Sequence, residues 1–260
     1  MKFIRPLQLL GLLLASFAAQ AGTFYGTDSG GQLITISPTN AATVAIGPNS
    51  AKTLVGAAYN ANTDTLYVRD FNNLYTADQG TGALTLVGAS GNGITALTFN
   101  AGFSSLYSMS QGNGSFYSVN PASGAATFIG LSGMATPLGL STNSAGVVYA
   151  GTIGGGIYTV NTATGAATLV YADVTGGDGL TEIAFDGSNQ LYGITLTRDN
   201  LIKINLGTGT SSIIGHVPYQ DVRGLAFVEA APAVPEPETY ALLLAGLAVV
   251  GMVARRRRAT

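Results

Sequence analysis

Residues 157–170 read IYTVNTATGAATLV. Tyr, Val, Thr and Leu flank a central Asn-Thr-Ala-Thr-Gly, the composition of two short strands joined by a turn. The phrase recurs. NLYTAD (73–78), SFYSVN (115–120) and LIKIN (201–205) correspond to its first half. TGALTLVG (81–88), SGAATFIG (123–130) and TGTSSIIG (208–215) correspond to its second half. Upstream lies a two-residue marker: Phe24-Tyr25, Leu66-Tyr67, Leu106-Tyr107, Val148-Tyr149 and Leu191-Tyr192. Its tyrosines are 42, 40, 42 and 43 residues apart. Before four of these markers comes an apolar segment: VGAAYN (55–60), ITALTF (94–99), PLGLS (137–141) and LTEIAF (180–185).

Each unit is four short β-runs punctuated by Gly, Asn and Asp, and no amphipathic helix of useful length interrupts residues 22–230. Four strands in about 40 residues is the period of a β-propeller blade. A β-solenoid repeats at shorter periods, and a β-sandwich gives no reason for a regular fivefold spacing. The ends of the array are informative. The first unit starts at TFYGTD (23–28) and lacks an inner strand, whereas VRGLAFV (222–228) is a surplus inner strand after the fifth set. The expected fold is therefore all-β, a five-bladed β-propeller closed by the two ends of the chain. Ring closure of this kind removes open sheet edges and ties down the termini. The expected blades are 22–52 with 222–230, then 53–89, 90–131, 132–173 and 174–217.

The ends of the 260-residue chain differ from its middle. Lys2 and Arg5, an apolar run from Leu7 to Ala19 and the sequence Ala19-Gln20-Ala21 make a secretory signal peptide over 1–21, cut before Gly22. A linker over 231–239 leads to an apolar stretch, 240–254, and a basic tail, 255–260. Only 9% of residues are charged, and mean hydropathy is +0.34, inflated by the two ends. Between those ends stand five cations (Lys52, Arg69, Arg198, Lys203, Arg223) against nine Asp with Glu182 and Glu229, a net charge of −6. That balance argues against a nucleic-acid partner. The absence of cysteine excludes thiol catalysis, iron–sulfur clusters and thiolate zinc sites.

Few residues suggest chemistry. His216 is the only histidine, so a multi-histidine metal site is impossible, and neither HExxH nor GxSxG occurs. A Ser-His-Asp set would need His216, with Asp221 as orienting partner, and nothing marks a serine. Asp173 and Asp178 in YADVTGGDG, and Asp186 in FDGSNQ, invite a calcium reading. The full EF-type ligand series is missing, and Asp-Gly steps also serve tight turns. GTDSGGQL (26–33) and GTIGGGIY (151–158) lie between strands, without the helix N-terminus that a phosphate loop needs. No catalytic residue, metal site or cofactor is therefore assigned. In a propeller, the loops between second and third strands share a face with the loops between blades. That face is expected to collect ten of the sixteen charged residues of the middle, with His216. Its candidate ligand-binding residues are Arg69, Asp70, Arg198, Asp199, His216, Asp221 and Arg223.

The apolar stretch 240–254 would span about 22 Å as a helix, short of the ~30 Å hydrocarbon core, though snorkelling arginines and thinning make it fit. Arg255, Arg256, Arg257 and Arg258 would stay cytoplasmic, leaving the propeller outside. On physical grounds the segment serves equally as an anchor or as a processing signal. Val234-Pro235-Glu236-Pro237-Glu238, an apolar segment with Gly246 and Gly251, and the arginine cluster closely resemble the PEP-CTERM sorting domain. The resemblance implies that Pro235, Glu236 and Pro237 are recognised by an integral-membrane exosortase and that the tail is removed near them. It further implies an exopolysaccharide-producing Gram-negative bacterium, transient residence in the inner membrane, and delivery to the cell surface or matrix. The strand-turn phrases also resemble those of propeller passengers, including quinoprotein-like ones. The tryptophan docking motifs of quinoprotein blades are absent, because the chain has no Trp.

The expected function is that of a non-enzymatic surface or matrix propeller, linked to biofilm and binding exopolysaccharide or another surface protein. The alternatives are a glycan hydrolase or lyase working through the charged face, and a calcium-stabilised adhesin.

Overall fold

The computed structural model describes residues 22–91 and 93–230, together with 245–247 and 255. The expected signal peptide and most of the expected linker, membrane helix and basic tail, including Pro235, Glu236 and Pro237, lie outside the described residues. Residues 245–247 and Arg255 are helical, and among the described residues no helix is long and apolar enough to cross a membrane. Gly22–Glu229 form a separate unit.

That unit holds twenty strands in five four-stranded antiparallel sheets. The chain opens with β1 (Thr23–Asp28), β2 (Leu33–Ile36) and β3 (Thr43–Ile46). Blade two is β4 (Gly56–Asn60), β5 (Thr65–Arg69), β6 (Asn73–Ala77) and β7 (Leu84–Ala89). Blade three is β8 (Ile94–Phe99), β9 (Leu106–Ser110), β10 (Ser115–Val119) and β11 (Ala126–Leu131). Blade four is β12 (Pro137–Thr142), β13 (Val148–Thr152), β14 (Ile157–Val160) and β15 (Ala167–Tyr171). Blade five is β16 (Leu180–Phe185), β17 (Leu191–Thr195), β18 (Asn200–Asn205) and β19 (Thr210–His216). The last strand, β20 (Val222–Val228), pairs with β1 and completes blade one in the order β20-β1-β2-β3. This is the five-bladed propeller, closed by both chain ends, that the repeats predict.

The apolar core is divided into five clusters, one in each wedge between neighbouring blades. The closing wedge joins Phe24, Ile34 and Ile36 of blade one to Tyr192, Ile194 and Leu201 of blade five. Each such fully buried side chain contributes about 1.5–3 kcal/mol. The tyrosine of the repeated marker has a place in this packing. Tyr67 and Tyr149 each meet the inner-strand phenylalanine of the next blade edge-on, with ring centroids 5.5 Å from Phe99 and 5.3 Å from Phe185.

The recurring turn also has a mechanical reason. In the phrase NTATG, the Asn161 side chain accepts hydrogen bonds from the Ala163 and Thr164 amides, and Gly165 closes the turn at φ 76°. This turn butts against the outer strand of the preceding blade at Gly130, where an added Cβ would lie 1.9 Å from the Thr164 carbonyl oxygen. Only glycine allows so close an approach. The repeat thus encodes contacts between blades as well as the strands within them.

Four of the five inner strands, all but β4, also meet their partners irregularly near one level. The register breaks so as to skip Arg223, Leu138 and Thr181 in β20, β12 and β16, and breaks again across Thr95 in β8. Such bulges redirect the side chain they carry. In blade one that side chain is Arg223.

Candidate functional site

The loop face carries two polar groups. At the junction of blades one and two, Lys52 Nζ lies 5.1 Å from the Tyr75 ring centroid, and the Tyr75 hydroxyl donates to Asp70 at 2.8 Å. Asp70 heads the turn between β5 and β6, accepting from the Asn72 and Asn73 amides at 2.8 and 2.7 Å. Burial works to raise its pKa, but these donors outweigh it and hold the carboxyl below the ordinary aspartate range. Asp28, Thr152 and Thr195 head the corresponding turns of blades one, four and five.

Arg69, expected on this face, is instead fully buried. Its Nε donates to the Asp70 carbonyl and its Nη1 to the Ser108 hydroxyl of blade three at 3.0 Å, while Nη2 has no partner. Burial brings its pKa down to about 10, so it remains a cation at neutral pH. Equivalent second-strand positions hold Thr27, Met109, Gly151 and Ile194. Arg69 is thus a pin between blades two and three.

The second group lies at the closure of the ring, between blades five and one. Asp178 accepts from the Thr197 amide and hydroxyl and lies 3.4 Å from exposed Arg198. Burial raises its pKa, but the Thr197 and Thr195 hydroxyls, the Thr197 amide and Arg198 together bring it below the usual value. His216 is exposed, with Nδ1 2.9 Å from the Arg198 carbonyl oxygen. Asp199 accepts from the Asp221 amide at 3.2 Å, and both aspartates have left-handed backbones, at φ 47° and 55°. Burial, reinforced by the carboxylates of Asp221 and Asp178, raises the Asp199 pKa. Arg223 donates through Nε to Asp221 at 2.7 Å and through Nη1 to the Gln111 side chain at 3.3 Å. Gln111 belongs to blade three, so the arginine reaches across the ring. Five expected face residues therefore assemble here: Arg198, Asp199, His216, Asp221 and Arg223. Arg69 and Asp70 stand apart.

Sequence reasoning missed Glu182. Aligning the inner strands as VRGLAF, LVGAAY, ITALTF, PLGLST and LTEIAF sets it against Gly224, Gly56, Ala96 and Gly139. A charge at a position otherwise held by Gly and Ala was the available signal. Glu182 is 2% exposed, with Oε1 accepting from the Leu140 and Ile183 amides, both at 3.1 Å, and Oε2 without a partner. Burial raises its pKa well above the ordinary value, against the pull of those amides and of Arg223. Gln111, at the far end of the Arg223 contact, carried no sequence signal.

Among the described residues, no three or more His, Asp or Glu side chains are grouped to hold a metal ion. Asp186, the calcium-loop candidate, spends its Oδ1 on the Ser188 and Gln190 amides of its own turn. A groove of about 470 Å3 lies away from the charged face, lined by residues that include Gln190, Lys203, Asn205 and Ser212.

Fold and site together define a five-bladed propeller with a polar cluster at its ring closure. Residues 233–258 match the PEP-CTERM protein-sorting motif. That motif marks the chain as an exported protein that passes through the membrane and is processed by exosortase. No curated protein matches the sequence. A chain in the crystal structure of a nidogen/laminin complex is similar in fold, with TM-score 0.57 and 10% identity over 79% of this chain and 98% of that one. Two lyase structures are less similar. A streptogramin B lyase has TM-score 0.47 and 15% identity, over 76% of this chain and 66% of that one. The inactive H270A virginiamycin B lyase from Staphylococcus aureus, with quinupristin, has TM-score 0.48 and 13% identity, over 81% and 75%. At such identities the likeness concerns the fold alone.

Proposed function

We propose that this protein is a non-enzymatic component of the cell surface or extracellular matrix of a Gram-negative bacterium, working where exopolysaccharide and biofilm are laid down. Exosortase removes its tail near Pro235, Glu236 and Pro237. The cluster at the ring closure, with Arg198, His216 and Arg223, binds polysaccharide or another surface protein. The observation that carries this reading is the use made of the carboxylates. Every one of the nine aspartates accepts a hydrogen bond from within the propeller, most from the amides of their own turns. Such carboxylates hold loops in shape and are poorly free to take a proton from a substrate. No cofactor is invoked.

The test is a glycan panel scored for both binding and turnover. Binding that is lost in Arg198→Ala and Arg223→Ala, with no product formed, is the expected result. A second reading, a glycan hydrolase or lyase, draws on Asp199, whose raised pKa beside His216 and Asp221 would suit a general acid. Turnover by the wild-type protein that disappears in His216→Ala and Asp221→Ala would replace the first reading with the second.

A further inference from the structure

The rim of the propeller has an unusual composition. The outermost strand of each sheet, β3, β7, β11, β15 and β19, contains no Asp, Glu, Lys, Arg or Pro. Yet seven of the nine large apolar side chains exposed on the propeller lie on these strands. Four occupy one repeated position. Leu86, Phe128, Leu169 and Ile213 face Tyr75, Tyr117, Tyr158 and Ile202 across the ladder and are 60%, 55%, 51% and 68% exposed. Blade one has Ala45 there, opposite Ile34.

We propose that this rim is a self-association surface, and that its occupant is the rim of a second copy of the same chain. Each outer strand pairs on one side only, so it presents unbonded backbone groups that an extended strand satisfies best. Charge selects the partner. The unit has a net charge of −6, but none of that charge lies on the outer strands, so two copies meet at their rims without the repulsion their other surfaces impose. Natural edges are usually guarded by lysine or proline, and these lack both. The remaining guard is a bulge one residue further on, at Val87, Ile129, Val170 and Ile214. It shortens the flat run, which keeps each contact weak.

Size determines the kind of assembly. One edge of five to seven residues offers far less than the roughly 1,200–2,000 Å2 of a stable pairwise interface. Four such edges around one ring make a multivalent node, whose association grows with local concentration. That behaviour suits a matrix component, and in this respect the inference rests on the surface role proposed above.

The test uses the processed protein purified from the producing cell, followed by analytical ultracentrifugation over a concentration series. Wild type should show a mean mass that climbs with concentration past the dimer. The variant Leu86→Lys, Phe128→Lys, Leu169→Lys, Ile213→Lys should stay at monomer mass with an unchanged far-ultraviolet spectrum. Threonine at the same four positions keeps the strand propensity and should also weaken association. A control with Ala61→Lys, Thr63→Lys, Ala101→Lys and Ala145→Lys adds the same charge on other loops and should behave as wild type. A wild type that stays monomeric, a rim variant that associates normally, or a control that loses association would each overturn the proposal. Monomeric wild type without glycan turnover defeats the rim alone. Glycan turnover defeats the non-enzymatic reading, whatever the mass.

Discussion

Replacing Glu182 with Gln isolates the energetics of the buried carboxyl. The amide keeps an oxygen for the Leu140 and Ile183 N–H groups, both 3.1 Å from Oε1, so the hydrogen bonds that fix the side chain survive. What changes is titration. The folded chain holds the Glu182 proton more tightly than the unfolded chain, because burial raises the pKa. The stability this supplies is complete below the unfolded value of about 4.3 and is lost as pH rises through the folded value. In that window a one-proton difference costs wild type up to about 1.4 kcal/mol per pH unit, and Glu182→Gln is spared it. Denaturant unfolding at a series of pH values is the assay. The variant should gain on wild type steadily as pH rises from about 4.3 and then hold a constant lead. Glu182→Ala should follow the same pH trend as Glu182→Gln but lie about 2–4 kcal/mol below it, since it leaves two amides unbonded over a cavity. A Gln variant whose difference from wild type is independent of pH would refute the reasoning.

Gly130→Ala drives a methyl against the Thr164 carbonyl oxygen and should destabilise by about 1–3 kcal/mol in thermal unfolding, with Gly165→Ala adding backbone strain at φ 76°. Arg69→Met removes a buried cation whose Nη2 has no partner, so it should be neutral or raise the melting temperature, whereas Arg69→Ala should lower it. Asp64, Asp70, Asp78, Asp173 and Asp178 are all held below the usual carboxyl value. Their contribution is present above the unfolded value of about 3.9 and falls away below it, so urea midpoints should drop as pH falls through this range.

The fold was legible because it is written five times. Tyr67 and Tyr149, the Asn-Thr-Ala-Thr-Gly turn and the surplus VRGLAFV each recur with a packing reason, and repetition separates such signals from chance. The site was less legible because it consists of departures from the repeat. Arg69 ends its strand beside a loop, which read as exposure, but its side chain turns into the wedge against Ser108. Glu182 sits in a phrase whose apolar neighbours hid it. The reach of Arg223 to Gln111 depends on a bulge and on the ring's curvature, neither of which follows from spacing along the chain. The outer strands carried a signal of another kind, since their lack of charge is plain in TGAATLV and TGTSSIIG. Which of their apolar residues face solvent follows only from the geometry.

The central claim is that this propeller is exported, processed and left at the surface to bind rather than to react. Its most direct test is intact-mass spectrometry of the protein recovered from the surface or medium of the producing cell. The account predicts a chain that begins at Gly22, ends near Pro235, Glu236 and Pro237, and carries none of Arg255, Arg256, Arg257 or Arg258. A surface protein that retains residues 240–260 intact would contradict it.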